Sequence, residues 1–183
     1  MNIGVDIDGV IANFVGTFIP LAERRYDIQL VERDIYVHDL YLVLGVTEDE
    51  ALELIRMTIQ SNPEPYTGAV EALRDLNRQH NIILMTARPA DLMDVTVQWL
   101  TRWSIPHAQL VHLNEGLKHE TSLSLDMIVD DHLREAFGFI GKVPHIVVFD
   151  RPWNQTFNVS GLFNRVHNWE ELLAFVSRLA AES

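Results

Sequence analysis

Ile3-Gly4-Val5-Asp6-Ile7-Asp8-Gly9-Val10 reads as a short buried strand, residues 3–5, that runs directly into two acidic residues and a glycine. Downstream the same pattern recurs. Apolar runs at residues 82–85, 110–113, 127–129 and 146–149 alternate with segments of helical apolar spacing at residues 69–79, 90–102, 133–140 and 169–179. Short apolar runs joined by amphipathic helices predict a parallel sheet in an α/β fold. Asn168, with Glu171 three residues later, reads as the cap of the last helix and its reciprocal partner.

Residues 18–65 break this rhythm, since they carry tyrosines, acidic residues and helical signals but no buried strand. Thr47 and Glu50 form a capping box for a helix running to about Ser61, and Asn62-Pro63-Glu64-Pro65 stops it. The expected organisation is therefore a core of residues 1–17 and 66–183 with a small helical cap inserted at 18–65.

Composition narrows the function. The chain has 183 residues, enough for one domain with a substantial core and few for two. It has no cysteine, which removes disulfide scaffolds, thiolate metal sites and a cysteine nucleophile together, and makes the cytoplasm the default compartment. No apolar run approaches a membrane span, and the opening residues lack the features of a signal peptide. A formal net charge of −12 disfavours a nucleic-acid duplex as partner and requires that an anionic substrate meet a metal or focused cations.

In open parallel sheets ligands bind at the carboxyl ends of the strands. Four of the five runs end in polar groups: Asp6 and Asp8 after the first, Thr86-Ala87-Arg88-Pro89 after the second, Lys118 in the segment after the third, and Asp130-Asp131 after the fourth. Carboxylates converging from adjacent strands repel one another in a partly dry cleft and call for a cation. All-oxygen ligands point to Mg2+. Thr86 and Lys118 then suit a phosphate, through a hydroxyl donor and a compact positive charge.

This ordered set resembles the haloacid dehalogenase superfamily, whose phosphatases use an aspartate pair, a Thr or Ser, a Lys and an acidic pair in that order. The resemblance spans residues 1–150 and implies a three-layer Rossmann-like core with a cap entering between the first two motifs. Asp6-Ile7-Asp8-Gly9-Val10-Ile11-Ala12-Asn13-Phe14 looks most like the small 5′(3′)-deoxyribonucleotidase branch. By that resemblance Asp6 attacks phosphorus, Asp8 serves as acid and then base, and Thr86 and Lys118 bind the phosphoryl group. Mg2+ would rest on Asp6, the Asp8 carbonyl and Asp130, with Asp131 holding metal waters. The chain departs from that branch at Ala87-Arg88-Pro89, where Ser-Pro is typical, and at His132, where Arg often follows the acidic pair.

The implied substrate is a small phosphorylated metabolite, with a nucleoside monophosphate leading, a sugar phosphate as the alternative, and a non-catalytic binding protein as the alternative of another class. Phe14, Phe18, Arg88 and Trp153 are candidates for substrate contact, with bracing of its loop as the alternative for Arg88, and Arg151-Pro152-Trp153-Asn154 either closes one side of the cleft or forms a structured turn. The eight histidines show no metal-ligand spacing and read as surface or packing residues, His132 being the one beside the acidic pair.

Overall fold

The computed structural model of the chain describes residues 1–182. Among these, six strands form one sheet: β1 (Asn2–Asp6), β2 (Asn81–Thr86), β3 (Gln109–His112), β4 (Met127–Asp130), β5 (His145–Phe149) and β6 (Asn164–Val166). All neighbours pair in parallel, in the order β3-β2-β1-β4-β5-β6. Helices α1 (Phe14–Tyr26), α2 (Leu40–Leu44) and α3 (Glu48–Gln60) lie between β1 and β2. Helix α4 (Ala69–Asn77) precedes β2, α5 (Met93–Arg102) joins β2 to β3, α6 (Leu133–Gly138) joins β4 to β5, and α7 (Trp169–Glu182) follows β6.

The three layers follow from the two-residue period of the strands. On β2, β4 and β5, Ile82, Leu84, Met127, Val129, Val147 and Phe149 pack with α4, α5 and α7 on one face. Their alternates Ile83, Met85, Ile128, Ile146 and Val148 pack with α6 and Phe139 on the other. At the centre of β1, Gly4 leaves room for this second layer, since a Cβ there would lie 2.8 Å from Met85 Sδ and 2.9 Å from Ile128 Cδ1. Val5 pairs with Val129, which brings the next residues, Asp6 and Asp130, to the same level at the carboxyl edge.

Helices α1 to α3 have an apolar cluster of their own, built on Val15, Phe18, Ala22, Ile35, Leu40 and Leu54. Helix α1 starts at Phe14, four residues before the expected boundary, because the Asn13 side chain accepts from Gly16 N–H and caps it there. The chain leaves and re-enters the core through a backbone neck: Asn13 N–H donates to Glu64 C=O at 2.8 Å, and Tyr66 N–H to Ile11 C=O at 2.8 Å. The expected capping box forms, with Glu50 N–H on Thr47 Oγ1 and Thr47 N–H on Glu50 Oε2.

Other elements differ from their sequence outline. Strand β6 carries no readable pattern, because only Val166 is buried in a three-residue edge strand. A turn of 3-10 helix at Ala90–Leu92 precedes α5, and α6 stops at Gly138. At the last helix, Asn168 accepts from Glu171 N–H, while Glu171 reaches back to His167 N–H, one residue beyond the usual reciprocal bond. Among the described residues no helix is long and apolar enough to cross a membrane.

Candidate active site

The carboxyl ends of β1, β2 and β4 meet where the polar residues were expected. Lys118 Nζ lies 2.6 Å from Asp6 Oδ1 and 2.9 Å from Asp130 Oδ2, and all three side chains are buried. Asp131 joins them, its carboxylate and those of Asp6 and Asp130 offering oxygens within 4.8 Å of one another. Thr86 is buried at the end of β2, and its Oγ1 accepts from Arg88 N–H at 3.1 Å.

Electrostatics follow from that crowding. Burial pushes the Asp6 carboxyl well above the usual range, and Asp130 and Asp131 add to it against the opposing Lys118 ammonium. Burial, then the Asp130 charge, pushes Asp131 up to about 6. For Lys118, burial disfavours the ammonium, but Asp130 and Asp6 outweigh it and hold it charged above its ordinary value. Two like charges about 4 Å apart repel by roughly 4 kcal/mol at an effective dielectric constant of about 20. One ammonium cannot balance three such carboxylates, so the set fits a hard divalent cation with oxygen ligands.

Asp8, two residues past Asp6, is partly exposed and held by one edge of a guanidinium: Arg88 Nε donates to Oδ2 and Nη2 to Oδ1, each at 2.7 Å. Arg88 is itself buried, stacked over Trp99 at 5.2 Å and touching Thr96. Gly9 turns the chain at φ +85°, and any Cβ there would collide with the Asp131 carboxylate. Only glycine serves at this position on both counts.

Four supporting residues were not visible as such in the sequence. Glu135 on α6 accepts from Lys118 N–H at 3.1 Å and from Gly116 N–H, which fixes the loop carrying the lysine. Arg151 donates to Gly9 C=O at 2.7 Å and lies over the Tyr66 ring at 4.0 Å. Asn154 bonds the carbonyls of Asp131 and Phe149. His38, from the segment before α2, stacks on His132. The Arg151-to-Asn154 stretch was singled out near this edge, but nothing in the sequence distinguishes Glu135 from an ordinary surface residue of a short helix.

A cleft of about 610 Å³ opens above these groups, with Phe14, Val37, Tyr41 and Ile55 from the helical insertion on one wall. Trp153 also lines it, with its Nε1–H donated to Asp131 Oδ2 at 2.7 Å. Phe18, expected to touch substrate, is instead fully buried one helical turn behind Phe14, within the insertion's own core. The spacing i, i+4 puts the two rings in contact but only the first at the cleft.

The family model described as 5′ nucleotidase, deoxy (Pyrimidine), cytosolic type C protein matches residues 1–182. Curated relatives span nearly the whole chain. The Bacillus subtilis protein YqfW is 28% identical, covering 97% of this chain and 94% of its own length. The 5′(3′)-deoxyribonucleotidase of Bacillus subtilis is 24% identical over 93% of this chain and 95% of its own. Among solved structures, the haloacid dehalogenase-like protein SP0104 from Streptococcus pneumoniae superposes with a TM-score of 0.68 at 12% identity, covering 96% of this chain and 97% of that one. Magnesium-bound YfnB from Bacillus subtilis gives 0.66 at 12% identity, covering 96% and 97%. Fold and family match agree: the chain has the haloacid dehalogenase-like fold and belongs to the cytosolic type C 5′-nucleotidase family.

Proposed function

We propose that this chain is a cytoplasmic, Mg2+-dependent phosphomonoester hydrolase that forms an aspartyl-phosphate on Asp6 and acts on (deoxy)nucleoside monophosphates. The observation that carries the reading is the buried Asp6–Lys118–Asp130 cluster at the carboxyl edge, with Asp8 poised beside it on Arg88. Asp6, Asp130, Asp131 and the Asp8 main chain would hold the ion, which when bound supplies positive charge to the phosphoryl oxygens and to the crowded carboxylates.

The protein groups divide the rest of the work. Asp6 Oδ attacks phosphorus, and the leaving oxygen takes a proton from Asp8. Asp8, then a carboxylate, removes a proton from the water that attacks the acyl phosphate, so Asp6 is regenerated and inorganic phosphate released. Lys118 and Thr86 bind the transferring group, and splitting one displacement into two lets the same residues serve both halves. Burial of Lys118 strengthens its attraction for the phosphoryl charge.

Support for a nucleotide comes from the cleft and from the relatives. Its volume suits a small ligand. Phe14, Tyr41 and Trp153 line the same cleft as Asp6 and Lys118, which supports a base stacking there. A relative bears the name 5′(3′)-deoxyribonucleotidase. In this reading the helical insertion, residues 18–65 together with the start of α1, is a cap that reads the leaving group.

The test is phosphate release from a panel of nucleoside monophosphates and sugar phosphates with Mg2+ present. Nucleotides should rank first, and Asp6→Asn should lower turnover at least a thousandfold, since an amide is no nucleophile. Preference for a sugar phosphate would keep the chemistry and move the substrate. Near-normal turnover by Asp6→Asn would remove the mechanism.

A further inference from the structure

Three residues far apart in sequence meet on the cleft wall without belonging to the carboxylate centre. His38 comes from the insertion, Glu115 from the loop after β3, and His132 from the turn between β4 and α6. The two imidazole rings lie parallel, with centroids 3.6 Å apart and planes within 3°. His38 Nδ1 is 3.5 Å from Glu115 Oε1. One ligand atom from each residue falls within 4.8 Å of the other two. Among the described residues the half-buried His132 ring makes no hydrogen bond within the protein, although its backbone N–H is used by Asp130.

We propose that His38, Glu115 and His132 form a second metal site, for a borderline divalent ion of the Zn2+ class, that ties the helical insertion to the core. The spacing is suitable. Ligand atoms each about 2.0–2.1 Å from a tetrahedral ion lie about 3.4 Å apart, close to the 3.5 Å between His38 Nδ1 and Glu115 Oε1. In the parallel stack the in-plane lone pairs do not converge, so the exposed His38 ring must swing out of the stack, together with Glu115, to meet an ion held on His132. The ligand set also discriminates. Two nitrogens and one oxygen favour Zn2+, Co2+ or Ni2+ over Mg2+, whereas the neighbouring centre of three aspartates offers only oxygen. With three protein ligands the fourth position opens toward the cleft, as in sites that exchange water.

Location gives the ion its consequence. His38 stands in the insertion, while Glu115 and His132 stand on the core, so one ion bonded to all three closes a bridge across the mouth of the substrate cleft. Binding selectively to that arrangement shifts the insertion toward it by mass action.

The experiment uses the full chain and reads metal uptake, not turnover, so its failure leaves the phosphatase reading standing. Co2+ serves as the spectroscopic probe and Zn2+ as its competitor, both at fixed pH with excess Mg2+ present. Wild type should bind Co2+ with visible absorption characteristic of imidazole ligation, resistant to Mg2+ and displaced by Zn2+. Removing a direct ligand in His38→Ala should weaken uptake by at least the roughly ten- to hundredfold that loss of an outer-sphere partner costs. Glu115→Gln, a milder change at another exposed ligand, should weaken it as well and guards against misfolding of the first variant. Amide exchange in residues 35–41 should slow on Zn2+ addition in wild type and not in His38→Ala. Wild-type affinity in His38→Ala overturns the site whatever Glu115→Gln does, and so does absence of Mg2+-resistant Co2+ uptake in wild type.

Discussion

At the scale of single residues, the grip of Arg88 on Asp8 is the feature that separates this site from a bare set of motif residues. A carboxylate on the strand-to-loop turn after β1 has several rotamers, and the proposed mechanism needs Asp8 to face the leaving oxygen. Two hydrogen bonds of 2.7 Å from a buried guanidinium hold Asp8 in a single one of them. In that proposed mechanism Arg88 is a positioning residue acting through Asp8, and the stack on Trp99 keeps it in place. Arg88→Met should lower kcat by about a hundredfold, the usual cost of a small misplacement, while KM changes far less. Arg88→Lys, with one point charge in place of a fork, should recover only part of the loss. Steady-state kinetics on the preferred nucleotide measure this, and a rise in KM at unchanged kcat would instead place Arg88 in substrate binding. Sequence marked Arg88 as a departure from the nucleotidase pattern, but its partner was not legible, since Asp8 lies 80 positions away and only the packing of β1 against β2 joins them.

At the scale of elements, strand ends were legible and their supports were not. Parallel strands buried on both faces must be apolar along their length, so each run announced its own carboxyl end and therefore Asp6, Thr86 and Asp130. Lys118 sits on a loop without such a frame. It is delivered by Glu135, whose carboxylate ties the backbone of Gly116 and Lys118 to α6. A buried glutamate on a six-residue helix has the same spacing as an exposed one, which hid it. Burial also raises the Glu135 carboxyl above its ordinary range, and Lys118 opposes the rise. Glu135→Ala leaves two buried N–H donors without a partner, at about 1–3 kcal/mol each. The expected outcome is a lower denaturation midpoint, faster amide exchange at Gly116 and Lys118, and weaker inhibition by inorganic phosphate as the lysine loosens. Unchanged exchange at those two amides would show that the loop is held by other contacts. Phe18 teaches the complementary point, that an aromatic near a motif is first a core residue, because the insertion needs an apolar cluster of its own.

At the scale of the whole molecule, a chain with a net charge of −12 concentrates three buried carboxylates around one lysine, and that arrangement opposes folding unless a cation is supplied. The sign of the pH dependence follows from Asp131, whose folded value of about 6 lies above that of an unfolded aspartate near 3.9. An acid with a raised folded value contributes stability that is complete below about pH 3.9 and is lost as pH rises through about 6. The loss amounts to roughly 3 kcal/mol from this group, and Asp6 shifts in the same direction. Metal-free protein should therefore melt at a lower temperature as pH rises from 5 to 7 by this contribution. The proposed Mg2+ site should reverse the trend, because it would take the carboxylate form: apparent affinity should climb with pH and level off above about 6, with protons released on binding below that. At a hundredfold excess over Kd, Mg2+ should stabilise the native state by about 2.7 kcal/mol, a rise in Tm on the order of 5–10 °C for a chain of this size. Asp130→Asn, which removes a charged ligand and nearly preserves shape, should shrink the Mg2+-induced rise at every pH. Melting curves with and without Mg2+ at pH 5, 6 and 7, at fixed ionic strength so that general screening is held constant, measure all of this. An Mg2+-induced rise that is equal at the three pH values would remove Asp131 from the metal centre, and equal rises in wild type and Asp130→Asn would remove Asp130.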